Sequence, residues 1–459
     1  MNIDIGYIAS VVRGTITSGS PEVTITSVSI DSRKISSGCL YIPIVGEKND
    51  GHSFIASAVE AGAVAYLYDP THFNPAEADI PDTVVAVSVE ETWRALADLA
   101  AQYRQDLGVK VIAVTGSVGK TTTKEFIYSV LSTKYKTSKT QGNLNNKYGV
   151  PLTLLAIPEG TEFAIVEMGM NHTREIAELS TIAAPDYAVI TNIGVAHIEN
   201  FGSRRGIFRA KMEVTEGMNI SGVLVVNGDD DMLRTLPGKI PQRVATFGRD
   251  RSCDRTASQI ETVRDGVTFV AMHQRFNIRM PGKHNVYDAM AAVCLGEILG
   301  MTPEEMSRGV EQCTGEANRM QLTEAEGIVY INDAYNANPV SMKAAIDTLC
   351  TMPTNGRRIA VLGDMYELGD SAEEMHREIG KYCATSGVDI LVVAGEYAAA
   401  MTDEASKSGM DGNCYSAADA IGAASIVSKL VRFGDTLLFK GSRAMRMEDC
   451  MHRVLEDNK

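Results

Sequence analysis

Apolar residues along the chain recur in short runs, each ending in Gly or a polar residue and each followed by a stretch of helical spacing. TITSVSIDSR (24–33) and LYIPIVG (40–46) alternate as strands do; 54–61 has helical periodicity, 63–68 predicts a short strand and 89–108 a long helix. In VIAVTGSVGKTTTKEFIYSVL, 111–114 predict a buried strand, and Phe126, Ile127, Val130 and Leu131 share one helical face. FAIVEMG, YAVITNIG and VLVVNGDD predict three more strands. IETVRDGVTFVAM alternates around Asp265-Gly266, a hairpin signal that predicts a small antiparallel addition. Helices are predicted over 284–300 and from Thr302, an N-cap followed by Pro303 and by Glu305 three residues on. Further along, GIVYIND, IAVLGDM, ILVVAGE and DTLLFKGS predict strands, with helices around 373–383 and 417–431 between them.

Repeated strand, loop and helix predict an α/β chain, and 459 residues predict three domains. These are a small α/β N-terminal domain (1–106), a central domain with a mainly parallel sheet (107–315) and a C-terminal Rossmann-like domain (316–459). The last lacks GxGxxG after its first strand, so dinucleotide binding is not supported. A net charge of −15 argues against nucleic-acid or anionic-membrane binding. No stretch approaches the roughly 18 apolar residues of a membrane span. Eight scattered cysteines without a CxxC pair, behind an N-terminus lacking a basic signal region, predict reduced thiols and a cytoplasmic protein.

The strongest chemical signal is Gly116-Ser117-Val118-Gly119-Lys120-Thr121 between a predicted strand and a helix. Glycines let backbone N–H groups curl around phosphate oxygens, the helix adds its positive end, Lys120 neutralises charge and the Thr121 hydroxyl can bind Mg²⁺. Val114 stands where a longer phosphate loop has its first Gly. Glu167 and His197 fall at the same sheet edge and together could complete a divalent-metal shell; read singly, one is a capping carboxylate and the other a hydrogen-bonded loop histidine. Lys211, read alone, is a surface lysine.

TGSVGKTTTKE, TQGNLNNKYGVPLTLL, VEMGMNHTREI, TNIGVAHIENFGS, RAKMEV, GKHNVYDAMAAV and NRMQ together resemble the Mur ligases, ATP-dependent amide-forming enzymes of peptidoglycan assembly. INDAYNANPVSMKAAI, VLGDMYELGDSAEEMHREIG, FKGSRAMRME and SIDSRKISSGCLYIPIVGEKNDGHSFI extend that resemblance over nearly the whole chain. The short phosphate loop alone would also fit folylpolyglutamate synthetases.

The resemblance implies ATP and Mg²⁺ as cofactors, with UDP-MurNAc-tripeptide and D-alanyl-D-alanine as substrates and a monomeric state. It makes the first domain the UDP-sugar-binding one and the second a phosphate-loop ATPase. Gly116, Ser117, Val118, Gly119, Lys120, Thr121 and Thr122 would cradle the ATP phosphates, and His284 with Asn285 would lie against adenine; the family commonly has Asn where this chain has Asp288. Arg319 would reach the γ-phosphate from the hinge and Asp333 would contact the nucleotide. Thr121, Glu167, His197 and Lys211 would surround the metal, Lys211 matching a lysine that is carbamylated in many members, with Glu213 as its local partner. Lys120, Lys211, His197 and Arg319 are the expected catalytic set, His197 being one candidate base for the incoming amine. Asp31, Ser32, Arg33, Gly46 and the Asp50-Gly51-His52 segment would form the UDP face. Asn143, Asn145, Asn146, Asn336, Asn338, Lys440, Ser442 and Arg443 would contact substrate, although Asn336 and Asn338 are also good turn formers. A family member that adds a single amino acid, and a non-catalytic ATP-binding regulator, are the alternatives.

Overall fold

The computed structural model describes residues 1–195, 198–263 and 266–458. Three α/β domains follow one another along the chain. The first has a five-stranded sheet in the order Thr15–Ser18, Val85–Ser88, Ala63–Tyr68, Cys39–Tyr41, Ser27–Ser29, parallel except for its first pair. The helix Thr92–Leu107 leads out of it and ends at Gly108, whose φ of 61° closes the helix in the left-handed region.

The central sheet has seven strands, all parallel, in the order Arg255–Thr256, Arg243–Gly248, Val223–Asn227, Tyr187–Ile190, Lys110–Thr115, Phe163–Glu167, Thr137–Lys139. Its middle strands are apolar without interruption because both faces are covered. Val111 and Ala113 pack into a core continuous with Leu40, Val85 and Leu96 of the first domain. Ile112 and Val114 turn the other way, onto Phe126, Ile127 and Val130 of the helix Lys120–Leu131 and onto the helix Asn285–Ile298. The predicted antiparallel addition is present as Ser258–Val263, Gly266–Ala271 and Gln274–Ile278; its turn residue Asp265 lies outside the described residues. Helix Pro303–Gln312 begins with the expected reciprocal cap: Thr302 Oγ1 accepts from the Glu305 N–H, and Glu305 Oε2 accepts from the Thr302 N–H.

The third domain is a six-stranded sheet, Gln321–Ala325, Ile328–Asn332, Thr436–Lys440, Arg358–Gly363, Ile390–Ala394, Cys414–Ala417, parallel after an antiparallel first pair. All eight cysteines are free, six of them buried. Among the described residues no helix is long and apolar enough to cross a membrane.

Candidate active site

The strand Lys110–Thr115 lies between Tyr187–Ile190 and Phe163–Glu167, so the loop after it opens at the carboxyl edge of the sheet, where open α/β sheets bind ligands. Gly116 has φ 151°, and a Cβ there would lie 1.8 Å from Thr191 Oγ1, so only glycine fits. The neighbouring strand end shapes the loop. Thr191 Oγ1 and Asn192 Nδ2 both donate to the Val118 carbonyl (2.5 and 2.9 Å), Asn192 Oδ1 accepts from the Val118 N–H and the Gly194 N–H donates to Ser117 Oγ (2.9 Å). Lys120 Nζ donates to the Gly116 carbonyl at 2.9 Å, folding over its own loop. Burial lowers the pKa of this ammonium, opposed by the charge of Glu167 and assisted by that of Arg319.

Glu167 ends its strand buried. Its Oε1 accepts from Asn145 Nδ2 at 2.8 Å, while Oε2 has no hydrogen-bond partner. That oxygen has the Lys124 ammonium near it, at 3.8 Å, and a buried carboxylate oxygen without a hydrogen bond, lining the same cavity as the Thr121 hydroxyl, is donor chemistry a hard divalent cation takes. Lys211, on helix Arg204–Met212, is buried rather than at the surface; desolvation, then the charge of Lys120, holds its ammonium well below its ordinary pKa. Glu213 is not its partner: its carboxylate accepts from the backbone N–H groups of Arg174 and Ala177 at the start of helix Glu175–Ala183, where a negative charge suits the helix end. His197 lies outside the described residues.

The opposite wall comes from the linker and the third domain. Arg319 Nη2 donates to Thr121 Oγ1 at 3.0 Å, and its guanidinium lies 4.0 Å from the Tyr335 ring centre, fixing the fork over an aromatic face. Asp333 takes a 2.6 Å ion pair from Lys440 and accepts from the Met320 N–H. Lys440 is buried and also donates to the Asn336 carbonyl, so its charge organises the loop 333–338 instead of standing open at a strand end. Asn338 caps helix Pro339–Thr351 through its side-chain oxygen, which is the turn-forming role its sequence context allows. Ser442 Oγ accepts from the Tyr366 N–H, and Arg443 pairs with Glu448.

Between these walls is a cavity of about 580 Å³ lined by the phosphate loop from Ser117 to Thr122 and by Asn145, Asn146, Glu167, His284, Asn285, Arg319, Asp333, Asn336, Asn338 and Lys440. Gly116, Asn143, Lys211, Ser442 and Arg443 are not in its lining. Asp31, Ser32, Arg33 and Gly46 belong to the first domain, away from it. Asp31 grips Arg33 through both carboxylate oxygens (2.8 and 2.9 Å), which holds Asp31 down at about 2. The Gly46 N–H donates to the Asn49 carbonyl within a turn. Asp50 faces the ring Nδ1 of both His52 and His72, but the Asp69 N–H donates to His52 Nε2. That bond fixes the proton on His52 Nδ1 and denies a cation its lone pair.

Sequence reasoning passed over Asn192, Tyr335 and Lys124. All three lie inside the motifs TGSVGKTTTKE, TNIGVAHIENFGS and INDAYNANPVSMKAAI, but each matters through a contact outside its own motif. Asp288, standing where the family commonly has Asn, accepts on Oδ1 from Thr123 Oγ1 at 2.6 Å, and burial pushes its carboxyl up to about 7 against that bond and the charge of Arg319.

A glycine loop closing on a parallel sheet, a buried carboxylate oxygen without a hydrogen bond lining the same cavity and an arginine brought in on the linker to the third domain define a three-domain phosphate-loop nucleotide-binding protein. Residues 24–104 match the description Mur ligase family, catalytic domain; 114–296 the Mur ligase middle domain; and 318–443 the Mur ligase, glutamate ligase domain. The chain is 39% identical over 453 residues, 98% of its length and 97% of the relative's, to UDP-N-acetylmuramoyl-tripeptide–D-alanyl-D-alanine ligase of Bacillus subtilis strain 168. It superposes on MurF from Acinetobacter baumannii with a TM-score of 0.89 at 32% identity, covering 99% of both chains. MurF from Thermotoga maritima, solved in complex with ADP, gives 0.81 at 28% identity over 94% of this chain and 97% of that one. This chain belongs to the Mur ligase family.

Proposed function

We propose that the protein joins D-alanyl-D-alanine to UDP-N-acetylmuramoyl-tripeptide with ATP, giving the pentapeptide precursor of peptidoglycan. The reading is carried by one observation: Arg319, from beyond the central domain, meets the phosphate-loop hydroxyl of Thr121 at 3.0 Å across the cavity. The identity to the Bacillus enzyme over 98% of the chain supports the choice of substrates.

A carboxylate is a poor electrophile because it has no good leaving group. Its oxygen attacks the γ-phosphorus of ATP, ADP departs, and the resulting acyl phosphate accepts the dipeptide amine at carbon; the tetrahedral intermediate expels phosphate while the amine loses a proton. The first step crowds anionic oxygens together, so Lys120 and Arg319 supply positive charge and alignment. Thr121 and Glu167 would hold Mg²⁺, which adds Lewis-acid stabilisation when bound. Lys211 as a carbamate, formed when its amine nitrogen bonds the carbon of CO₂ and sheds a proton, would convert a repelling ammonium into an oxygen ligand. His284 and Asn285 line the nucleobase end, and the turns at Asp31 and Gly46 offer the UDP face on a first domain spanning 1–106. The third domain, 316–459, closes over the acyl phosphate and excludes water.

The same reading places a monomer in the cytoplasm, where ATP and the UDP-linked peptide are found. The test is phosphate release with UDP-linked tripeptides carrying L-lysine or diaminopimelate at position three. D-alanyl-D-alanine should stimulate release; stimulation by a free amino acid alone would contradict the assignment.

A further inference from the structure

Lys124 lies one helical turn beyond Lys120 and its side chain is fully buried. Its Nζ donates to Glu316 Oε1 at 2.8 Å and stands 3.4 Å from Glu125 Oε1 and 3.8 Å from Glu167 Oε2. Those last two oxygens are both without a hydrogen-bond partner, and both face this ammonium. Glu125 is also paired with Lys139. A buried ammonium is retained only where counter-charges surround it, so losing a partner from this cluster leaves a buried charge uncompensated.

Glu316 is not part of the central sheet or its helices. It lies in the linker between helix Pro303–Gln312 and strand Gln321–Ala325, and Arg319 follows three positions later. On its far side the linker is tied to the third domain, where the Met320 N–H donates to Asp333 and the Tyr335 N–H donates to the Asn318 carbonyl. Asn318 and Met320 both have positive φ (61° and 48°), a backbone shape that fixed ends must hold in place. Arg319 is thus suspended between two tethers, and the one on the central domain is Lys124–Glu316.

We infer that Glu316, gripped by Lys124, is a positioning residue that sets where Arg319 stands over the triphosphate. The inference rests on the role given to Arg319 above.

Lys124 itself is a poor target, since its removal strands three carboxylates. E316Q keeps the shape and releases the charge. We expect E316Q to lower kcat about tenfold with the KM for ATP within about twofold, and to add less than about twofold in an R319A background, because the two residues act through one contact. Hydrogen exchange in E316Q should quicken across residues 314–320 while the central sheet is unchanged. If R319A keeps wild-type kcat, the reading of Arg319 fails and the inference with it. If R319A is impaired but E316Q is not, or the two losses multiply in full, the inference alone is overturned. Global acceleration of exchange would also overturn it, marking Glu316 as a fold-wide support.

Discussion

Asp288 accepts a 2.6 Å hydrogen bond from Thr123, and its Oδ1 lies 2.5 Å from where Gly119 would carry a Cβ, so a buried carboxyl is wedged against the back of the phosphate loop. Its folded pKa of about 7 stands above the unfolded value of 3.8. The protonated carboxyl therefore favours the fold fully below the unfolded pKa, and that contribution is lost as pH rises through about 7. Asp288→Asn keeps an acceptor for Thr123 without a charge to bury. It should be more stable than the parent by a margin that grows from about pH 4 to pH 7, reaching a few kcal/mol by order of magnitude. Denaturant midpoints at pH 5 and pH 8 check this; a difference independent of pH would show that the carboxyl does not titrate there.

Gly119 starts the phosphate-loop helix with φ 84°. Gly119→Ala meets both that conformation and the Asp288 oxygen, at a cost on the order of 1–3 kcal/mol. We expect at least a tenfold loss of ATP affinity by calorimetric titration, since the loop N–H groups can no longer point inward together. Wild-type affinity would mean the nucleotide does not use this loop.

Lys120→Ala removes a charge that, among the described residues, bonds to its own loop at the Gly116 carbonyl, so the fold should persist. Phosphate release in the ligation assay should fall by about two orders of magnitude or more. Circular dichroism alongside separates this from unfolding.

Burial and the neighbouring Lys120 favour the neutral amine of Lys211, which is the form that reacts with CO₂. Protein stripped of dissolved CO₂ should lose activity and regain it with bicarbonate, and ¹³C-bicarbonate should produce one carbamate resonance that Lys211→Ala lacks. Full activity under CO₂-free conditions would exclude the modification.

What the sequence made legible was whatever carries a local requirement. The glycines of the phosphate loop, the Thr302–Glu305 cap and the apolar runs of the central sheet each follow from backbone geometry or burial. Strand Gln321–Ala325 was missed because it is a polar edge strand with little burial. Arg243–Gly248 was passed over beside more apolar runs. Within the site, Thr121, Glu167 and Arg319 were singled out through motif and resemblance, and they line one cavity, whereas the contacts of Asn192 with Val118 and of Lys124 with Glu316 span 74 and 192 residues of sequence. Glu213 and Lys440 share one lesson: a charge looks available in sequence until the groups that bind it are seen, backbone N–H groups for the first and Asp333 for the second.

Burial raises the pKa of every one of the eight thiols, with Cys294, Cys313 and Cys450 pushed to about 12. At neutral pH the native molecule offers almost no thiolate to an electrophile. It should tolerate air without a reducing agent, and alkylating reagents should mark the six buried cysteines only as its domains open, turning those sulfurs into reporters of unfolding.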